Sequence, residues 1–276
     1  MTQLRVGCIQ LNAGSDVSAN LQAAAVGVRK AAEQGARLIC LPEYCALLDG
    51  SGRVMREGSP PEAEHSALPA FARLAQETDA WLLVGSLTVK LDADRMANRS
   101  YLMSNTGEVV ARYDKIHMFD VTLPNGKVIR ESSAYLPGER AVVAQTPWGP
   151  IGMTICYDLR FPHLYRALAK AGATILVVPS SFQRETGPAH WHALLRARAI
   201  ENAAWVIAPA MCGDHANGRS TYGHSLVIDP WGKIVSELDD QPGVLTADID
   251  LQQTTKVREM LPSLQHDRDF ELSLSR

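Results

Sequence analysis

Short apolar segments alternate with amphipathic helices along most of this chain, and this alternation restricts the possible folds more than any other feature. The N-terminal half reads as a strand at 4–11, a helix at 16–34 and a second strand at 37–41. In the helix, apolar residues such as Leu21 and Val28 recur at helical spacing. Because strands separated by helices pack in layers, the sequence predicts an α/β protein whose mixed sheets are covered by helices.

The second half repeats this order, with further strands after it. The expected elements are strands at 151–155 and 174–178, helices at 161–170 and 188–202, and later strands at 205–209, 223–228, 233–237 and 244–249. No segment rich in Pro, Gly or Ser separates the halves. We therefore expect one domain over residues 1–276, built from two similar halves, with a C-terminal tail from about residue 262. Residues 45–62 are expected to form a polar loop.

Charge and cysteine content exclude several classes of protein. The chain has 27 Lys and Arg against 30 Asp and Glu, a net charge of -3, and no basic block that could track nucleic-acid phosphates. Its apolar runs are too short to cross a membrane, and its N-terminus does not read as a signal peptide. The five cysteines show no CxxC pair or zinc-ligand spacing. A cytoplasmic protein with free thiols and no metal is expected.

One cysteine differs from the others in its context. Cys156 follows an apolar strand and precedes a short polar turn and a helix that begins near Pro162. Such a turn exposes a side chain at the edge of a sheet and directs backbone N–H groups towards a reacting carbonyl. Cys8 and Cys40 lie within strands, where a small core residue is the simpler interpretation. Cys156 is therefore a candidate nucleophile.

Two charged residues occupy suggestive positions, although each has an ordinary explanation. Glu43 follows the strand at 37–41, and ligands of open α/β sheets gather beyond the carboxyl ends of strands. Glutamate at such a place is also common on surfaces. Lys115 lies within an apolar and aromatic stretch, where it could stabilise an oxyanion or simply extend its ammonium into water.

Taken in order, Leu41-Pro42-Glu43, Asp114-Lys115-Ile116-His117 and the segment from Cys156 to Pro162 resemble the Glu–Lys–Cys signature of the nitrilase (carbon–nitrogen hydrolase) superfamily. The resemblance extends from the first strand to about Arg268. It implies an α-β-β-α sandwich, commonly paired across a two-fold axis, and hence a homodimer or a larger homo-oligomer. It also implies a cofactor-free hydrolase with Glu43 as general base, Lys115 at the oxyanion and Cys156 as nucleophile.

Members of this family often use a second glutamate between the lysine and the cysteine. Glu131 lies ahead of the Leu136-Pro137-Gly138 turn, where the amidase branch has it, and Glu139 just after the turn is the competing candidate. Glu131 is preferred, as a residue that holds Lys115 or the attacking water. A solvated loop acid is the alternative for either residue.

The downstream segments resemble the branch that contains ω-amidases and deaminated-glutathione amidases. They are Thr186-Gly187-Pro188-Ala189-His190-Trp191, Ser220-Thr221-Tyr222-Gly223-His224-Ser225 and Leu261-Pro262-Ser263-Leu264-Gln265-His266. The expected substrate is a small amide with an α-keto acid end, deaminated glutathione first and α-ketoglutaramate as the alternative. Tyr157 would supply an oxyanion N–H. Arg160, or less strongly Thr186, would bind a substrate carboxylate, unless Arg160 pairs with Asp158 or a partner subunit.

Other readings of the sequence are weaker. His190 and His192 are two residues apart on a helix and point in different directions, so they are not expected to share a metal ion. No G-x-S-x-G elbow or phosphate-binding loop occurs, so a serine hydrolase and a nucleotide cofactor are disfavoured. A non-catalytic scaffold would need a damaged pocket. An acyl transferase that uses the same thioester stays open.

Overall fold

The computed structural model describes residues 2–123 and 126–274, and two six-stranded sheets dominate these ranges. The strands are β1 (Gln3–Gln10), β2 (Leu38–Cys40), β3 (Trp81–Lys90), β4 (Met96–Met103), β5 (Val109–Asp114), β6 (Asp120–Thr122), β7 (Val128–Arg130), β8 (Val142–Ala144), β9 (Ile151–Met153), β10 (Ile175–Val177), β11 (Trp205–Ala208), β12 (Cys212–His215), β13 (Arg219–Tyr222), β14 (Leu226–Ile228), β15 (Ile234–Glu237) and β16 (Gly243–Asp250). The helices are α1 (Val17–Glu33), α2 (Gly52–Glu57), α3 (Ala67–Thr78), α4 (Pro162–Lys170), α5 (Gly187–Asn202) and α6 (Leu251–Met260).

The two large sheets have the same pattern of parallel and antiparallel neighbours, although the single antiparallel strand is the last strand of the chain in the first sheet and directly precedes β9 in the second. The first has the order β16-β1-β2-β3-β4-β5, and the second has the order β15-β14-β11-β10-β9-β8. In each sheet three consecutive strands are parallel, with one antiparallel strand on one side and two on the other. The expectation of two similar halves therefore has a counterpart in the strand order.

Three hydrophobic layers hold the sheets and helices together. The middle layer lies between the sheets and joins residues such as Val6 and Leu38 of the first to Ile151 and Val177 of the second. One outer layer packs α1 and α3 on the first sheet, and the other packs α4 and α5 on the second. The predicted α-β-β-α sandwich with two mixed sheets is thus confirmed.

Local signals in the sequence fix several helix ends. The Asp16 side chain accepts a hydrogen bond from the Ala19 N–H at 3.1 Å and caps α1, as aspartate commonly does before a helix. Helix α4 begins with Pro162, whose missing N–H costs nothing in the first helical turn.

Some elements differ from the sequence-based prediction. The segment at 45–62 is not a polar loop: its first residues are buried, and it contains α2. The hairpins β6–β7 and β12–β13 and helix α6 were not predicted, because they are short or, like α6, weakly amphipathic. Within the described ranges, every helix is too short or too polar to span a membrane.

Candidate active site

A pocket of about 250 Å³ opens where the carboxyl ends of the parallel strands of both sheets meet. Glu43, Lys115, Glu131 and Cys156 all line it, although they come from four separate parts of the sequence. Pockets at this edge are usual in α/β proteins, and this size suits a small molecule.

Cys156 lies on a strained turn between β9 and α4. Its φ is +46°, in the left-handed region that non-glycine residues seldom adopt, and its N–H donates to the Pro179 carbonyl at 3.0 Å. A short 3-10 helix, Cys156–Arg160, follows at once. Burial and the nearby Glu43 carboxylate raise the pKa of the Cys156 thiol, so the resting side chain is a thiol that needs a base.

Asp158 holds this turn in place through contacts that sequence analysis did not foresee. Its fully buried carboxylate accepts hydrogen bonds from the Ile155 N–H at 2.9 Å and the Tyr113 hydroxyl at 2.6 Å. It also accepts one from the His117 N–H at 3.1 Å and lies 2.7 Å from His117 Nδ1. Because Tyr113 and His117 flank Lys115, this one carboxylate fixes the turn of Cys156 relative to the segment that carries Lys115.

Glu43 is the acceptor at the centre of the site. Its side chain is buried, and Oε1 accepts from Asn98 Nδ2 at 2.8 Å and Lys115 Nζ at 3.1 Å, while Oε2 accepts from the Ser181 N–H at 2.8 Å. Gly85 permits this arrangement, since a Cβ there would lie only 1.9 Å from the Leu41 carbonyl oxygen. The glutamate's segment therefore packs directly on the backbone of β3.

Lys115 follows β5 and lies between two carboxylates. Its Nζ is 3.1 Å from Glu43 Oε1 and 2.9 Å from both oxygens of Glu131. Burial alone would lower the pKa of Lys115, but the Glu131 and Glu43 carboxylates outweigh burial and raise it. The ammonium is therefore permanently charged and held in one position.

The structure separates the two candidates for the second glutamate. Glu131 is buried against Lys115 and also accepts hydrogen bonds from the Tyr44 hydroxyl at 2.9 Å and the Phe119 N–H at 2.6 Å. Burial would raise the pKa of Glu131, but the Lys115 ammonium reverses this and lowers it. Glu139 is exposed and lines a different surface groove. Glu131 is thus the one that contacts the lysine.

The three residues expected to bind substrate also line the pocket. Tyr157 directly follows Cys156, and Thr186 lies just before α5, where its Oγ1 is 3.4 Å from the Gln183 carbonyl. Arg160 stacks over the rings of Tyr157 and Phe182, and its guanidinium nitrogens lie 3.2 and 3.3 Å from His190 Nδ1. In the part of the chain that the structure describes, no carboxylate pairs with Arg160, and the alternative pairing with Asp158 does not form.

His190 and His192 have different contact partners, as their two-residue spacing on a helix predicts. His190 contacts Arg160, whereas His192 Nε2 lies 2.7 Å from Glu237 Oε1. His224 Nδ1 is 2.9 Å from the same oxygen, so His192, His224 and Glu237 bring possible ligand atoms within 4.8 Å of one another. None of these three lines the pocket, and one Glu237 oxygen lies within hydrogen-bond distance of one nitrogen of each imidazole ring.

Three further residues in or near the pocket belong to no motif that the sequence singles out. Asn98 donates to Glu43, Ser181 donates its N–H to Glu43, and Arg219 donates to Ser181 Oγ at 2.9 Å. They lie far from the catalytic motifs in sequence and belong to elements that converge only in the folded chain. Asn98 lies on β4, whose neighbour β5 leads to Lys115, so its strand position was the only hint.

Comparison with known proteins agrees with this geometry. The family model described as carbon–nitrogen hydrolase matches residues 5–259. A Bos taurus protein named deaminated glutathione amidase is 40% identical over 268 residues, which are 95% of this chain and 81% of that protein.

Two solved structures are also similar to this chain. The Caenorhabditis elegans NitFhit protein superposes with a TM-score of 0.91 at 33% identity, over 97% of this chain and 66% of that chain. A mutant amidase from Nesterenkonia sp. AN1, which carries acrylamide added at its active-site cysteine, has a TM-score of 0.79 at 27% identity, over 94% of this chain and 98% of that one. The present chain belongs to the carbon–nitrogen hydrolase family.

Proposed function

We propose that this carbon–nitrogen hydrolase is an amidase with Cys156 as nucleophile, Glu43 as general base and Lys115 as the oxyanion cation. One observation carries the proposal: a thiol, a buried carboxylate and a fixed ammonium line one small pocket. Burial and, after it, the nearby Glu43 carboxylate raise the pKa of the thiol, so attack needs a base, and Glu43 is placed to act as one.

Acylation would begin with attack of the Cys156 sulfur on the amide carbon while Glu43 takes the thiol proton. The negative charge that develops on the carbonyl oxygen would be stabilised by the Lys115 ammonium and the backbone N–H of Tyr157. Glu43 then returns the proton to the departing nitrogen. The carbon–nitrogen bond breaks, the amine leaves, and a thioester links the acyl group to Cys156.

Deacylation would use the same groups, with water as the attacking molecule and the Cys156 sulfur as the leaving group. Glu43 takes a proton from water, the hydroxide oxygen attacks the thioester carbon, and the oxyanion forms again beside Lys115. Collapse releases the carboxylic acid and restores the thiol with the proton from Glu43. Glu131 holds Lys115 throughout, because both of its oxygens lie 2.9 Å from Nζ.

The proposed substrate is deaminated glutathione. It is an α-keto acid whose γ-carboxyl forms an amide with cysteinylglycine. The support comes from the name of the Bos taurus relative and from Arg160, a planar cation with no carboxylate partner among residues 2–123 and 126–274. Arg160 would bind the α-keto acid carboxylate, with Thr186 beside it.

The test measures α-ketoglutarate formed from deaminated glutathione and from α-ketoglutaramate. Wild type and the control Cys212→Ala, which alters a buried thiol outside the pocket, should turn over deaminated glutathione, and Cys156→Ala should not. Turnover of α-ketoglutaramate alone would favour an ω-amidase with the same mechanism. Full activity of Cys156→Ala would contradict the mechanism itself.

We also propose that the chain forms a homodimer or a larger homo-oligomer. Phe270, Leu272 and Leu274, at alternate positions of the C-terminal tail, are between 83 and 88% exposed, and burial of such apolar side chains against a second copy would be favourable. Light scattering after size exclusion should give at least twice the chain mass of 30.1 kDa. A monomer at micromolar concentration would contradict this.

We propose a cytoplasmic location on the basis of the cysteines. All five are free, which fits a reducing compartment. Immunodetection in fractionated cells should place the protein with cytoplasmic markers, and recovery with an oxidising compartment would contradict the proposal.

A further inference from the structure

Arg219, the first residue of β13, lines the same pocket as Cys156 and Glu43. Its Nη2 donates to Ser181 Oγ at 2.9 Å, and its guanidinium lies 5.3 Å from the centre of the Tyr44 ring. Its Nε is buried and has no hydrogen-bond partner, and no carboxylate pairs with Arg219 in the two described ranges. A guanidinium that lines a pocket and has no carboxylate partner can donate charge-assisted hydrogen bonds to an anion bound there.

The excess of basic over acidic side chains in the pocket favours the binding of such an anion. Five basic and three acidic side chains line it, although the whole chain has a net charge of -3. Two of the acids, Glu43 and Glu131, are held by Lys115. The third, Asp49, accepts hydrogen bonds from Ser15, Asn217 and the backbone of Ser51. The positive charge of Arg219 is therefore not neutralised by the acids of the pocket.

Arg219 and Arg160 flank different parts of the catalytic machinery. Arg160 belongs to the 3-10 helix of the nucleophile and stacks on Tyr157, the residue after Cys156. Arg219 stacks on Tyr44, the residue after Glu43. The two arginines also contact adjacent residues, since Arg160 stacks on Phe182 and Arg219 bonds to Ser181. They share no contact residue.

This arrangement matches the two sides of an amide. The acyl part of the substrate becomes bonded to Cys156, and the leaving nitrogen receives its proton from Glu43. A group attached to the acyl carbon therefore lies on the nucleophile's side, near Arg160. A group attached to the leaving nitrogen lies on the base's side, near Arg219.

We propose that Arg219 binds a carboxylate carried by the leaving amine, so that the enzyme selects amides with a carboxylate on both sides of the scissile bond. This inference rests on the proposed function and extends it. Deaminated glutathione has both carboxylates, one on the α-keto acid and one on its terminal glycine. α-Ketoglutaramate has only the first, because its leaving group is ammonia.

The test compares deaminated glutathione with an analogue whose terminal carboxylate is replaced by a carboxamide. A charge-assisted hydrogen bond is worth roughly a 10- to 100-fold difference in binding, so wild type should prefer the carboxylate by about that ratio of kcat/KM. Arg219→Gln should bring the ratio close to one, and Arg219→Lys should retain part of it. The ratio cancels any general effect of the substitution on catalysis.

Arg184→Gln is the matched control. Arg184 also lies near the β12–β13 hairpin and pairs with Asp214 at 2.8 Å, but it does not line the pocket. It should keep the wild-type ratio. An unchanged ratio in Arg219→Gln, or an equal loss in Arg184→Gln, would overturn the proposal.

A binding experiment separates failure of this inference from failure of the proposed function. If wild type hydrolyses neither substrate, the proposed function fails. Arg219 is then judged by calorimetry with cysteinylglycine and cysteinylglycinamide. Tighter binding of the free carboxylate in wild type, lost in Arg219→Gln, supports the subsite, and equal binding of both ligands in wild type overturns it.

Discussion

The two sheets share one pattern of strand directions but contribute different side chains at equivalent positions. In the first sheet Cys8 and Cys40 are register partners on neighbouring parallel strands, and in the second Met153 and Val177 are. Three residues beyond each partner the chain reaches the carboxyl edge. The first sheet has Leu11 and Glu43 there, and the second has Cys156 and Ser180.

Under the proposed mechanism, this difference means that neither half could be an enzyme alone. The proposed base, Glu43, follows the second parallel strand of its sheet, and the proposed nucleophile, Cys156, follows the first parallel strand of the other sheet. The remaining equivalents have ordinary structural roles: Leu11 is buried in the outer core, and Ser180 Oγ donates to the Val178 carbonyl at 3.0 Å. The pocket exists only because the two edges face each other.

The comparison predicts that substitutions of Glu43 and of Ser180, which lie at equivalent positions, have very different effects on kcat. Glu43→Gln removes the base but keeps its shape, and kcat should fall by about 10³-fold, within the usual range for general acid–base catalysis. Ser180→Ala removes one buried hydrogen bond and should change kcat by less than about three-fold, with a loss of stability near 1 kcal/mol. Steady-state kinetics and thermal unfolding would measure both. Similar losses of kcat would refute the division of roles.

Lys115→Met tests the charge that the first half supplies. Loss of an oxyanion donor typically lowers kcat by about 10²- to 10³-fold. The substitution also removes the cation that lowers the pKa of Glu131, so that pKa should rise. Wild type has this stabilisation above the unfolded-state pKa of Glu131 and loses it as the pH falls through the lower folded-state pKa. The variant should therefore unfold at a higher pH during acid titration; an unchanged acid midpoint would contradict this.

Asp158→Asn tests the connection between the halves and should lower kcat less than Glu43→Gln or Lys115→Met does. The amide retains the shape but replaces one acceptor by a donor, which faces either the Ile155 N–H and the Tyr113 hydroxyl at Oδ2 or the His117 N–H at Oδ1. We expect kcat to fall about ten-fold, because a small misplacement of reacting groups is costly, while KM changes little. A larger change in KM than in kcat would mean that Asp158 shapes the substrate pocket instead.

The sequence predicted the elements whose periodicity is strong and whose signals are local. The order of strands and helices, the elbow at Cys156 and the carboxyl-edge position of Glu43 all follow from short patterns. Lys115 was ambiguous from its local pattern, because only the folded chain brings two carboxylates within 3.1 Å of it.

Contacts between distant segments could not be predicted in this way. Asn98 reaches Glu43 across 55 positions of sequence, and Arg219 reaches Ser181 across 38. The segment at 45–62 was misread as a loop because its burial comes from tertiary packing, with Leu47 and Leu48 in the outer core. The polarity of residues that are neighbours in sequence does not indicate such packing.

The positions of the five cysteines allow local unfolding to be followed through the reactivity of their thiols. Cys156 is partly exposed and lines the pocket, whereas Cys8, Cys40, Cys45 and Cys212 are buried and outside it. An alkylating reagent that enters the pocket should therefore modify one site in the native state and five after unfolding. Cys8 and Cys40 lie between the sheets, Cys45 lies in the outer core and Cys212 lies on a hairpin. The order in which they become reactive would report which layer opens first.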